Sequence, residues 1–173
     1  FLPAAERYGL MPAIDRWVVR TVLQWLARHA GDSALTDCYT INLSGMSLSD
    51  APFLGFVLQE LETSGVAPTC IAFEITETSA VAAFDSAVNL INALKEKGCR
   101  FLLDDFGSGW SSFTYLKNLP VDFLKIDGGL VRDMANDVLD EAMVRSINEI
   151  GHVLGIATIA ESVESDAVLQ RLA

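Results

Sequence analysis

The amino-acid sequence predicts an α/β domain of repeated strand-plus-helix units, with parallel strands arranged as in a β/α barrel. Three observations carry this. Five short apolar runs, rich in β-branched residues, each end in a polar residue. From Asn42, the steps between those polar residues are 32, 30, 23 and 34 residues, about one strand and one helix each time. The stretches between the runs carry apolar residues at helical spacing.

Each element follows in order. Ile14, Trp17, Val18, Val22, Trp25 and Leu26 define a first apolar helical face. Cys38-Tyr39-Thr40-Ile41 then runs into Asn42. Leu54, Val57, Leu58 and Leu61 share a face of the next helix, and Gly65 stops it. Cys70-Ile71-Ala72-Phe73 runs into Glu74. Phe84, Val88, Ile91 and Leu94 form the following stripe, before Gly98. Arg100 to Leu103 runs into Asp104 and Asp105, and Val121 to Leu124 runs into Lys125 and Asp127. Met143, Ile147, Ile150 and Leu154 form another stripe, with Asp137 and Asp140 near its start, where negative charge suits the helix dipole. Ile156 to Ala160 runs into Glu161. A β/α barrel builds its active site from the C-terminal ends of its strands. An acid, amide or lysine at every strand end is what such a site requires.

Asp104-Asp105-Phe106-Gly107-Ser108-Gly109 carries the most chemistry. Two adjacent carboxylates at the end of a buried strand are costly unless a cation or hydrogen bonds offset the charge. The glycines allow a sharp turn close to a bound group. Lys125, on the next apolar run, is placed to enter the same site. Plainer roles exist for each residue. Asn42 suits a turn, the aspartates suit a helix cap near Ser111, and Lys125 could lie along the surface. Trp110, Phe113 and Tyr115 read first as core aromatics. Cys38, Cys70 and Cys99 fall near strand starts, and their odd number argues against a disulfide framework. They read as buried thiols of a reducing cytoplasm. His29 and His152 fall on helices, away from the strand ends.

Asn42-Leu43-Ser44, Phe73-Glu74-Ile75-Thr76-Glu77, the Asp104-to-Gly109 stretch, Leu116-Lys117-Asn118-Leu119-Pro120-Val121-Asp122-Phe123-Leu124-Lys125-Ile126-Asp127 and Ile159-Ala160-Glu161-Ser162-Val163-Glu164 occur in the order of EAL domains. The chain therefore resembles this family of phosphodiesterases, which act on the bacterial second messenger cyclic di-GMP. Phe1 to Leu10 is similar to the segment after the family's Glu-Ala-Leu motif. On this resemblance residues 1–173 form one EAL phosphodiesterase domain, an internal piece with about five of eight strands of a TIM-like barrel. The Glu-Ala-Leu strand is expected just before Phe1 and the closing Gln-Gly segment after Ala173. Two positions depart from the usual pattern. Ser162 stands where glycine is commonest, and Gly128-Gly129 is looser than the usual segment.

The resemblance implies a two-metal site. Asn42, Glu74 and Asp104 would hold one ion with the upstream glutamate, and Asp104, Asp105 and Glu161 the other. All-oxygen ligands suit Mg²⁺ or Mn²⁺. Two ions about 4 Å apart stabilise both the attacking and the leaving oxygen. Lys125 would hold or deprotonate the attacking water, and Asp127 would orient that lysine or a water. Glu77 and Glu164 are expected as loop anchors or outer supports, Glu77 for the loop of residues 106–112. The implied reaction opens cyclic di-GMP to linear pGpG. The alternative is an inactive EAL domain acting as a cyclic di-GMP receptor or signalling scaffold. A homodimer is implied, as are flanking GGDEF or sensor domains. The domain is expected in the cytoplasm, with any membrane anchor in flanking chain. An open five-stranded piece, exposing two strand edges, is expected to be poorly soluble alone.

Composition fits this reading. The chain has 173 residues, 51% hydrophobic and 20% charged, enough for a sizeable core. No apolar span is long enough for a membrane helix. The net charge of −11 disfavours polymeric nucleic acid, which is held through lysine and arginine. A small anionic substrate held through divalent metal remains compatible.

Overall fold

The protein is described by a computed structural model that covers residues 1–29, 38–108 and 113–172. The chain divides into two compact units, residues 1–101 and 102–173.

The first unit contains α1 (Leu2–Arg7), α2 (Met11–Arg28), β1 (Tyr39–Leu43), α3 (Gly45–Leu48), α4 (Ala51–Ser64), β2 (Ile71–Thr76), α5 (Glu77–Ala82) and α6 (Phe84–Lys95). Proline lies in the first turn of α1, α2 and α4, where its missing N–H costs nothing. β1 and β2 pair in parallel, from Tyr39 against Ile71 to Leu43 against Ile75. Ile71 to Ile75 are all buried, as a strand covered on both faces requires. On β1, Ile41 and Leu43 are buried while Thr40 and Asn42 are exposed.

The helix stripes are close to those expected, with one informative difference. Phe53, Val57 and Leu61 of α4 are buried, and Gly65 ends the helix at φ +67°. On α6 the buried residues are Ala87, Leu90, Ile91 and Leu94. On α2 the buried stripe is Met11, Asp15, Val19, Leu23 and Leu26. Of the expected face only Leu26 is fully buried, and Trp17 is 66% exposed. The true stripe is hard to see because an aspartate lies in its middle.

The second unit begins within β3 (Arg100–Phe106), at Leu102, and continues with α7 (Phe113–Leu116), β4 (Phe123–Ile126), α8 (Gly128–Asp133), α9 (Val138–Leu154), β5 (Ala157–Ala160) and α10 (Asp166–Leu172). β4 pairs in parallel with β3 on one side and with β5 on the other. Asp137 caps α9, its Oδ1 accepting from the amides of Leu139 at 2.7 Å and Asp140 at 3.4 Å. The buried residues of α9 are Val144, Ile147 and Gly151. Its stripe is therefore rotated slightly from the expected one, and Met143, Ile150 and Leu154 are half-buried. Gly151 lets the helix approach β5, since a Cβ there would lie 2.7 Å from Thr158 Cγ2. Among the described residues, no helix is long and apolar enough to cross a membrane.

Candidate metal and phosphate site

In the second unit the three parallel strands end side by side. Lys125, on the central strand, is the register partner of Ile159. Its ammonium lies 3.0 Å from Asp104 Oδ1 and 2.6 Å from Glu161 Oε1. The Lys125 and Asp104 side chains are only 14% and 15% exposed, so their attraction is screened less than in a surface ion pair, while Glu161 is 31% exposed. One carboxylate oxygen each from Asp104, Asp105 and Glu161 lie within 4.8 Å of one another, a group able to hold a metal ion.

Two adjacent strand residues ordinarily point to opposite faces. Here the ladder is broken. Leu103 pairs with Leu124, and the next pair is Phe106 with Ile126, so β3 spends three steps where β4 spends two. The extra residue is a β-bulge at the acid pair, and such bulges re-aim side chains. Asp105 takes the left-handed conformation, φ +56°, which is unfavourable for a residue with a Cβ. Hydrogen bonds hold it there. Its amide donates to Asp104 Oδ1 at 3.0 Å, and its carbonyl accepts from Ser108 Oγ at 2.9 Å. The bulge thereby brings both carboxylates toward Glu161.

The electrostatics are unbalanced. Three carboxylates share one lysine, and Asp127 stands near enough to act on Asp105. Burial, then Asp104, Asp127 and Glu161, push the Asp105 carboxyl above the usual aspartate range, while Lys125 opposes them. A surplus of negative charge on oxygen donors alone is what a hard divalent cation would balance.

Asp127 starts α8. Its Oδ1 caps the amides of Gly129 at 2.9 Å and Leu130 at 3.4 Å, and its own amide donates to Phe106 O at 3.0 Å. It thus ties the end of β3 to the start of α8. Among the described residues, Ser162, directly after Glu161, is the other one with a Cβ held at positive φ, +53°. Its hydroxymethyl group fills the space over Gly128, so a Cβ at position 128 would collide with it. The two departures noted in the sequence are one packing feature, and it borders Glu161. Sequence reasoning noted both positions without joining them. Glu164 is exposed.

In the first unit, Asn42 and Glu74 are register partners in the C-terminal halves of β1 and β2, one and two residues before the strand ends. Glu74 is 7% exposed. Glu77, the first residue of α5, is also 7% exposed. Part of the loop expected to rest on it, residues 109–112 with Trp110 and Ser111, lies outside the described residues.

Parallel strand-plus-helix units, with carboxylates and a lysine toward the strand ends, define a β/α domain whose strand termini carry a group of acids that could hold a metal ion. The EAL domain family model matches residues 1–173, and the chain belongs to that family. Cyclic di-GMP phosphodiesterase PdeB of Shewanella oneidensis is 40% identical over 172 residues, covering 99% of this chain and 20% of the relative. The chain thus spans about a fifth of that protein's length. The PaMucR phosphodiesterase, solved in complex with c-di-GMP, is 32% identical with a TM-score of 0.91, over 99% of this chain and 70% of that one. The FimX EAL domain from Pseudomonas aeruginosa, bound to c-di-GMP, is 31% identical with a TM-score of 0.89, over 99% and 68%. The fold is accordingly that of EAL domains, TIM-barrel-like, with five strands among the described residues.

Proposed function

We propose that this domain hydrolyses cyclic di-GMP to linear pGpG with two divalent cations, Mg²⁺ or Mn²⁺. One observation carries the reading: Lys125 is held between Asp104 and Glu161 beside Asp105, in an EAL domain. Asp104, Asp105 and Glu161 are assigned to one cation. Asn42 and Glu74, with Asp104, are assigned to the other on family grounds. When bound, the cations would supply Lewis-acid stabilisation of phosphate charge.

The chain's own residues do the rest. The Lys125 ammonium is held by two carboxylates, Asp104 and Glu161. That suits a donor that holds the attacking water and offsets charge on the phosphate. Water oxygen bonds to phosphorus, the P–O bond to one ribose 3′ oxygen breaks, and a proton passes to the leaving oxygen. Asp127 fixes the backbone between the bulge and α8, so the lysine and the acid pair keep their spacing. A lysine held among carboxylates at the strand ends suits activation of a water, which favours turnover over binding alone. Flanking GGDEF or sensor domains belong to the same proposal.

The test is hydrolysis of cyclic di-GMP by the full-length protein, with Mg²⁺ and after EDTA. Linear pGpG should form with Mg²⁺ and cease on chelation. Unchanged hydrolysis in EDTA would defeat the mechanism, and tight binding without turnover would favour the receptor.

A further inference from the structure

The Asp15 carboxylate is buried, 4% exposed, in the otherwise apolar stripe of α2. One of its oxygens, Oδ2, accepts three hydrogen bonds. They come from the Ser44 amide at 2.9 Å, Ser44 Oγ at 2.6 Å and Ser47 Oγ at 2.6 Å. A buried acid contributes less to a core than an apolar residue would, unless such bonds hold something in place. What they hold is the turn directly after β1, two residues beyond Asn42.

The other side of that turn is also fixed. Gly45 packs against α5, where a Cβ would lie 2.9 Å from Ser79 Oγ. Ser79 Oγ in turn bonds Thr76 Oγ1 at 2.8 Å, and Thr76 is the N-cap of α5, two residues after Glu74. The chain of contacts runs from Asp15 through Ser44, Gly45 and Ser79 to Thr76. It joins the ends of the two strands that carry Asn42 and Glu74, which are register partners.

We propose that Asp15 is a positioning residue for the metal ligands Asn42 and Glu74. It touches neither metal nor substrate. Acting through Ser44 and Ser47, it sets where β1 ends and so where the Asn42 side chain is presented. This rests on the reading of Asn42 as a ligand. Residues that support metal ligands from behind commonly govern metal affinity by about 10–100-fold.

The experiment uses the full-length protein and its Asp15→Asn, Ser44→Ala, Asn42→Ala and Asp15→Asn/Asn42→Ala variants. Mn²⁺ binding is measured by electron paramagnetic resonance without substrate. Melting temperature and Mg²⁺-dependent kcat and KM are followed alongside. Asp15→Asn and Ser44→Ala should each weaken Mn²⁺ binding by about tenfold. At saturating metal, kcat and the KM for cyclic di-GMP should stay within about threefold. In the Asn42→Ala background Asp15→Asn should add little, because both act through one ligand. If Asp15→Asn does not fold, Ser44→Ala decides. A lowered melting temperature with unchanged Mn²⁺ affinity in Asp15→Asn and Ser44→Ala overturns the proposal, provided Asn42→Ala loses affinity. Unchanged affinity in Asn42→Ala overturns the ligand assignment itself.

Discussion

At the scale of single residues, Lys125 is the test of chemistry. It sits among acids rather than on an open surface, and the proposed reaction assigns it to the transition state. Lys125→Ala should lower kcat by at least about 100-fold, with cyclic di-GMP affinity within about tenfold of wild type. Single-turnover kinetics with an equilibrium binding assay will separate the two effects. Gly128 and Ser162 make a second test. Gly128→Ala forces a methyl group into the Ser162 side chain and so disturbs the backbone next to Glu161. It should cost about tenfold in kcat. Ser162→Gly should be nearly silent in kcat. It removes left-handed strain of about 1–2 kcal/mol and loosens the unfolded chain by about 0.5–1 kcal/mol, so its net stabilisation lies between about 0 and 1.5 kcal/mol. The double variant should recover most of the lost activity. A double variant as slow as Gly128→Ala alone would show that the two positions act separately.

At the scale of elements, strand ends were readable because each apolar run stops at a charged or amide residue. The stop of α4 was readable at Gly65, which takes the left-handed conformation; Gly155 ends α9 in the same way, a stop the sequence reading did not name. The face of α2 was not readable, because the buried carboxylate of Asp15 looks like a solvent-facing residue until its serine partners are known. The bulge in β3 was hidden for a similar reason. Asp104 and Asp105 are adjacent in sequence, but only a broken register shows how both can serve one side.

Glu141, near the start of α9, takes Arg145 Nη2 at 2.8 Å on Oε1 and Arg171 Nη1 of α10 at 2.7 Å on Oε2. The hydrogen bonds from Arg145 and then Arg171 hold its carboxyl below the usual glutamate range. The stabilisation is therefore present above the unfolded-chain pKa, about 4.3, and is lost as pH falls through the lower folded value. Glu141→Gln should raise hydrogen exchange in α10 at neutral pH and lower the melting temperature slightly. The difference from wild type should vanish in acid below the folded value. A difference that persists there would assign the effect to packing rather than charge.

At the scale of the whole molecule, the second unit presents apolar surface that water does not favour. Val138 is 84% exposed and Leu139 67%. Beside them is a cavity of about 360 Å³, lined in part by Phe106, Gly107, Phe113, Leu139, Met143 and Ile147. Phe106 and Gly107 directly follow the acid pair, so a second copy covering this face would press on the turn behind the site. Pairing of two copies is proposed on that ground. Specific activity should fall as the full-length protein is diluted through its dimer dissociation, tracked by sedimentation. Constant specific activity across that range would separate assembly from catalysis.

The extra residue in β3 also constrains how this strand can change over generations. A one-residue deletion between Leu103 and Phe106 would mend the ladder and remove a left-handed aspartate, so it would read as an improvement to any selection for stability alone. It would also leave a single acid where the site has two. A lineage that keeps the irregularity is held there by its chemistry, and a lineage released from that chemistry should lose the irregularity early. The length of this one strand is therefore a marker of whether a related domain still turns over substrate.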